Sequence, residues 1–110
     1  MLRRSLLALV VAAGPQAPPL RAEVPAPRTH RVEIQGFAFV PSRLEVRAGD
    51  VVEWTNRDLA PHTATDDDGT WGTKAVKHGA SSRIVATAPG LVAYHCAFHP
   101  RMTGAIVVTP

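Results

Sequence analysis

Cys96, His99 and Met102 follow one another at intervals of three in the run Tyr94-His95-Cys96-Ala97-Phe98-His99-Pro100-Arg101-Met102. Cys96 is the only cysteine of the chain, and Met102 is the only methionine besides the initiator. A thiolate, an imidazole and a thioether spaced C-x-x-H-x-x-M are soft or borderline donors suited to copper. A second histidine is available in Asn56-Arg57-Asp58-Leu59-Ala60-Pro61-His62-Thr63. Adding His62 gives two imidazoles and a thiolate with a weak axial thioether, the donor set of an electron-transfer copper centre. Taken singly, each residue has a plainer reading. Met102 would fill core space, His99 would be an ordinary loop histidine, and Cys96 a small buried hydrophobe. Their combination is what argues for a metal.

Such a site needs a scaffold that brings two loops together. From Thr29 onward, short alternating runs are broken by turn residues. Arg31-Val32-Glu33-Ile34-Gln35 alternates polar and apolar, as a half-buried strand does, and so does Leu44-Glu45-Val46-Arg47. Ala48-Gly49-Asp50 reads as a tight turn, and Val51-Val52-Glu53-Trp54-Thr55-Asn56 as a strand with Trp54 in the core. Residues 82–87, 90–96 and 104–109 supply three more strands. Pro41, Pro61, Pro89 and Gly90 fall at strand ends or turns, where a missing N–H or an unusual φ is tolerated. The pattern is all-β, a sandwich or barrel in one domain. His62 and the Cys96–Met102 loop then both sit at strand ends, which a sandwich can place side by side.

The first residues differ in kind. Arg3 and Arg4 precede an apolar run from Ser5 to Ala13, then a Pro/Ala-rich stretch and the small residue Ala22. That order is the layout of a secretory signal peptide, expected over residues 1–22. The apolar run is far short of the ~20 residues of a membrane-spanning helix. The Arg3-Arg4 pair admits twin-arginine export as well as the general secretory route. A periplasmic protein with a flexible arm at residues 23–28 and a domain at 29–110 is the expectation. Three of the twelve basic residues (Arg3, Arg4, Arg21) leave with the leader, so nine remain against nine acids. The basicity that would suggest a nucleic-acid partner belongs largely to the leader. A lone cysteine cannot make an internal disulfide. A bound metal would supply the missing stabilisation by mass action.

The loop Tyr94-His95-Cys96-x-x-His99-Pro100-x-Met102 resembles that of the cupredoxin (type 1 blue copper) family, most closely its amicyanin-type members. Asn56, six residues before His62, and the segment Leu44-x-Val46-x-x-Gly49-Asp50-x-Val52-x-Trp54-x-Asn56 carry the resemblance further. It covers roughly residues 37–108. It implies a Greek-key β-sandwich of about seven to eight strands, with one type 1 copper ion. His62, Cys96 and His99 would be the strong ligands and Met102 the axial one. Asn56 would tie its strand to the backbone just after the cysteine. Such outer contacts hold ligands in place and tune the metal. The implied role is a monomeric carrier of single electrons, whose donor and acceptor dock near His99 on a patch formed by Phe98 and Pro100. Copper delivery with the same ligands is the competing reading.

Two positions depart from the amicyanin-type loop. Phe98 stands where those proteins typically have proline, so its N–H is free to hydrogen-bond the Cys96 sulfur. Arg101 replaces an apolar residue beside the docking surface, which removes the ground for assuming the amicyanin partner. An enzyme with Cys96 as nucleophile and His99 as base would lack a third orienting group and leave Met102 without a role. Structural zinc sites use cysteine, histidine or carboxylate and not methionine. His95 should point to the opposite face from Cys96. A similar His-Cys pair bridges two copper centres in copper nitrite reductases, but that enzyme needs more copper-binding sequence. His30 and His78 read as ordinary exposed histidines, and Asp66-Asp67-Asp68-Gly69 as a solvated turn.

Overall fold

Alternation in the strands sends every second side chain to one face, and two such faces closing on each other make the core. A computed structural model of the protein describes residues 14–15 and 25–110. The segment read as a signal peptide lies outside the described residues except for 14 and 15, as do residues 23–24 of the arm. The described residues form eight strands: β1 (Thr29–Ile34), β2 (Phe39–Val40), β3 (Arg43–Arg47), β4 (Val51–Asn56), β5 (Thr65–Asp66), β6 (Ser81–Val85), β7 (Gly90–His95) and β8 (Thr103–Thr109). They build two four-stranded sheets, ordered β2-β1-β4-β6 and β3-β8-β7-β5. The pairs β1–β4 and β3–β8 are parallel, and the other pairs antiparallel. The observed fold is an all-β sandwich, one of the two architectures the pattern allowed and the one the family resemblance implied. Among the described residues no helix is long and apolar enough to cross a membrane.

Val32 and Ile34 of β1, Val52 and Trp54 of β4, Tyr94 of β7, and Ile106 and Val108 of β8 fill the interior. Each fully buried aliphatic side chain of this kind is worth about 1.5–3 kcal/mol over leaving it in water. Trp54 stacks on Trp71 with ring centroids 5.7 Å apart and meets Tyr94 edge-on at 5.4 Å. Its indole N–H donates to the Tyr94 hydroxyl at 3.2 Å. A buried indole and a buried phenol thereby satisfy each other.

Register sets the two poles of the sandwich. Ile34 pairs with Asn56, so β1 and β4 end at the same pole. His95 pairs with Thr103, so the loop between β7 and β8 begins and ends together. At the other end of β4, Asp50 accepts from the backbone N–H groups of Arg28 and Arg47, at 3.0 Å each, and from His30 at 2.9 Å. His30 is therefore no free surface histidine. Its position on β1 is beside Val52 in register, which brings its half-buried ring to a buried carboxylate. Asp66 also departs from the expected solvated turn. It is buried and held by Thr70, while Asp67 and Asp68 remain exposed.

Candidate metal centre

The loop after β4 delivers His62, and the loop after β7 delivers Cys96, His99 and Met102. His62 pairs in an isolated bridge with Val76, which fixes its backbone. Cys96 follows the last residue of β7 directly. A turn then closes with the His99 N–H on the Cys96 carbonyl at 3.2 Å and the Met102 N–H on the His99 carbonyl at 2.9 Å. The Cys96 N–H returns to the Met102 carbonyl at 3.0 Å. Short spacing in the sequence thus becomes a closed backbone ring that leaves its side chains little freedom relative to one another.

The ligand atoms of His62, Cys96 and His99 all lie within 4.8 Å of one another. Cys96 Sγ is 3.7 Å from His62 Nδ1 and 3.8 Å from His99 Nδ1. His62 and Cys96 are fully buried, and His99 is half-buried. Met102 is buried at 5% exposure beside them in the chain. The sequence separations are long, 34 residues from His62 to Cys96, so the sandwich and not the local chain makes this cluster.

The sequence profile of the Cupredoxin-like domain matches residues 5–108, almost the whole chain. The chain belongs to the cupredoxin-like family. Amicyanin of Paracoccus denitrificans is 33% identical over 82 residues, covering 70% of this cupredoxin. The chain spans 63% of the length of that relative. A solved reduced amicyanin variant superposes with a TM-score of 0.70 at 28% identity, covering 74% of this chain and 82% of that one. The copper-containing nitrite reductase of Thermus scotoductus contains a similar region, with a TM-score of 0.68 and 33% identity. That likeness covers 90% of this cupredoxin but only 26% of the reductase. Copper is the cofactor the donors fit, since thiolate and imidazole together suit it better than any hard cation.

Two expectations about the surroundings of the cluster are corrected by the hydrogen bonds of this cupredoxin. Asn56 does not tie its strand to the backbone after the cysteine. Its amide donates to the carbonyls of Ala60 (2.8 Å) and Val76 (2.9 Å), and its Oδ1 accepts from the Asp58 N–H (2.8 Å). It braces the His62 loop internally. The tie across to the cysteine loop comes from Thr63, whose hydroxyl accepts from the Ala97 N–H at 2.7 Å. Thr63 is the residue next to His62, so its backbone already runs beside Cys96. The second correction concerns sulfur. The N–H that reaches Cys96 Sγ is that of Thr63, at 3.4 Å, and among the described residues Phe98 makes no such bond. Phe98 is the third residue of the Cys96–His99 turn and is 52% exposed.

Residues that spacing did not single out complete the surroundings. Asp58 Oδ2 accepts from His62 Nε2 at 2.8 Å, the ring nitrogen opposite the one facing Cys96. Burial works against the Asp58 charge, but donors at Phe37, Gly36 and His62 outweigh it and hold the carboxyl below the usual range. Phe37 presents its ring edge-on to His62 (4.9 Å between centroids) and to His99 (4.8 Å). An acid four residues before a candidate metal histidine was the available signal for Asp58. Nothing comparable marks Phe37. His95 does turn away from Cys96 as strand alternation requires, and its Nδ1 meets Asp67 Oδ1 at 2.6 Å. His78 is exposed, with Nδ1 at 2.9 Å from the Asp58 carbonyl.

Proposed function

We propose that this chain is an exported type 1 copper protein that passes single electrons between larger redox proteins. His62 Nδ1, Cys96 Sγ and His99 Nδ1 would hold one copper ion, with the Met102 thioether as the weak fourth donor. The observation carrying this reading is the convergence of one sulfur and two imidazole nitrogens within 4.8 Å at the pole of a rigid sandwich. Bound copper would supply a reversible one-electron couple.

The protein's own part is to keep the donors in place and to limit water. Bonds from Asn56, Thr63 and the closed 96–102 backbone ring leave the donors little room to move when charge changes. Small rearrangement favours fast electron exchange. His99 is the half-buried member of the set, and exposed Phe98 and Pro100 flank it. That apolar rim, with His99 at its centre, is where the electron donor and acceptor would dock. Cys96 is fully buried, which suits a ligand and not a nucleophile that must meet a substrate. Residues 1–22 would be removed on export to the periplasm, and the mature protein would act as a monomer.

Adding Cu(II) to the metal-free mature protein tests the proposal. An intense visible thiolate-to-copper band, a small copper hyperfine splitting in EPR and a reversible one-electron voltammetric wave are expected. A colourless product would overturn it. Rapid surrender of Cu(I) to an acceptor, with slow electron self-exchange, would assign the same ligands to copper delivery. Mass spectrometry of the periplasmic protein should show a chain lacking the leader, and an intact Met1 start would refute export by cleavage.

A further inference from the structure

We propose that Asp58 is the positioning residue of the centre, setting the tautomer of His62 and seating Phe37 against both imidazole rings. Its Oδ1 accepts from the Gly36 N–H at 2.7 Å, and its Oδ2 accepts from the Phe37 N–H at 2.8 Å and from His62 Nε2 at 2.8 Å. An ionised carboxylate only accepts hydrogen bonds. The His62 proton therefore resides on Nε2, and Nδ1 faces Cys96 with a bare lone pair. A donor group at position 58 would favour the opposite tautomer and block that lone pair.

The same carboxylate organises the β1–β2 turn. Gln35 and Ala38 exchange backbone bonds at 3.0 and 3.2 Å around Gly36 and Phe37. Both central residues have positive φ, 63° and 57°, as a two-residue hairpin turn of this hand requires. Glycine adopts that conformation freely, whereas for phenylalanine it costs about 1–2 kcal/mol. Consecutive N–H groups in such a turn form a concave anion site, and Asp58 fills it. Asp58 is itself held by the Asn56 side chain at its N–H and by His78 at its carbonyl. The strained Phe37 backbone is thus kept in place by the residue that orients His62. Its ring closes over His62 and His99 together. A carboxylate on the far ring nitrogen also makes Nδ1 a stronger donor, which favours Cu(II) over Cu(I).

This inference rests on His62 being a copper ligand, yet the ring proton can be read without copper. In the metal-free wild-type protein, nitrogen-15 NMR of the His62 ring should show Nε2 protonated and Nδ1 bare. A proton on Nδ1 would overturn the assignment, and this measurement needs no variant to fold. Asp58→Asn, whose neutral amide is a weaker acceptor for the Nε2 proton, should weaken Cu(II) binding about 10- to 100-fold in chelator competition and raise the reduction potential. Asp58→Glu, which keeps an accepting carboxylate, should restore both toward the wild type. A purely structural role would lower the melting temperature of Asp58→Asn and leave the Cu(II) affinity and the potential unmoved, which would sink the proposal. If wild-type protein takes up no copper while its His62 tautomer is as stated, the functional reading fails and the Asp58 assignment survives.

Discussion

The ring of Tyr94 lies directly over Gly104, its register partner on the neighbouring strand, so closely that a methyl group at 104 would occupy the phenol itself. Tyr94 can bury its ring there only because residue 104 has no side chain. The buried phenol accepts from Trp54, and burial, opposed only in part by that bond, pushes its pKa up to about 12. Gly104→Ala should force Tyr94 off its rotamer and part it from Trp54. A loss of about 1–3 kcal/mol is expected, as for other overpacked cores. Denaturant unfolding measures it, and a reduced near-ultraviolet circular dichroism signal should accompany it. An unchanged midpoint would mean that the strand pair yields without cost.

At the opposite pole, acid stability should depend on Asp50. Its carboxyl is held down to about 2, from an ordinary 3.8, chiefly by the Arg28 N–H, then by His30 and the Arg47 N–H. The unfolded chain therefore takes up this proton at higher pH than the folded one. The stabilisation is fully present above about pH 4 and is lost as the pH falls toward about 2. Melting curves of the wild type should drop more steeply across that window than those of Asp50→Asn. Parallel curves would show that Asp50 is not a source of the acid response.

Thr63 should be what keeps the two ligand loops in contact. Thr63→Val retains the shape but leaves the Ala97 N–H without its protein acceptor. Ala97 is exposed, so water can replace the bond, and about 1 kcal/mol of stability should be lost. Slower electron self-exchange of the copper-loaded variant is the accompanying expectation, because the loop carrying His99 is freer to move. Unaltered melting and exchange would leave the hydroxyl without a role.

Copper should stabilise the fold through Cys96. A ligand present at a thousand times its Kd adds about 4 kcal/mol to the folded state. Chelating the metal should therefore lower the melting temperature of the wild type. Cys96→Ala should melt at one temperature whether or not copper is supplied. Equal melting of loaded and stripped wild-type protein would contradict metal binding at this pole.

Much of the candidate site was legible because its donors are chemically rare. A single cysteine, a single internal methionine and a histidine between them leave few readings, and His62, just after the Trp54 strand, was the second imidazole that the donor set needed. The strands were legible where alternation ran for five residues or more, as in β1 and β4. β2 and β5 are two residues long, too short for any period to register. The roles of the surrounding groups were less legible. Asn56 and Thr63 carry similar polar side chains near the same histidine, and only the crossing of the two loops decides which one reaches Ala97. The expectation for Phe98 failed similarly. An available N–H is a property of residue type, but its direction is a property of the turn that contains it.

By itself, the order of residues determined the donor chemistry, the alternating strands and the closed Cys96–Met102 ring, since all three depend on neighbours a few positions apart. Tertiary structure alone decided which backbone N–H groups the Asp58 carboxylate holds, which ring covers the two imidazoles and which hydroxyl joins the loops. The Phe37–Asp58 and Thr63–Ala97 bonds unite residues 21 and 34 positions apart, and a hydrogen bond depends on tenths of an ångström and on angle. Only the register of the packed sheets sets separations that finely.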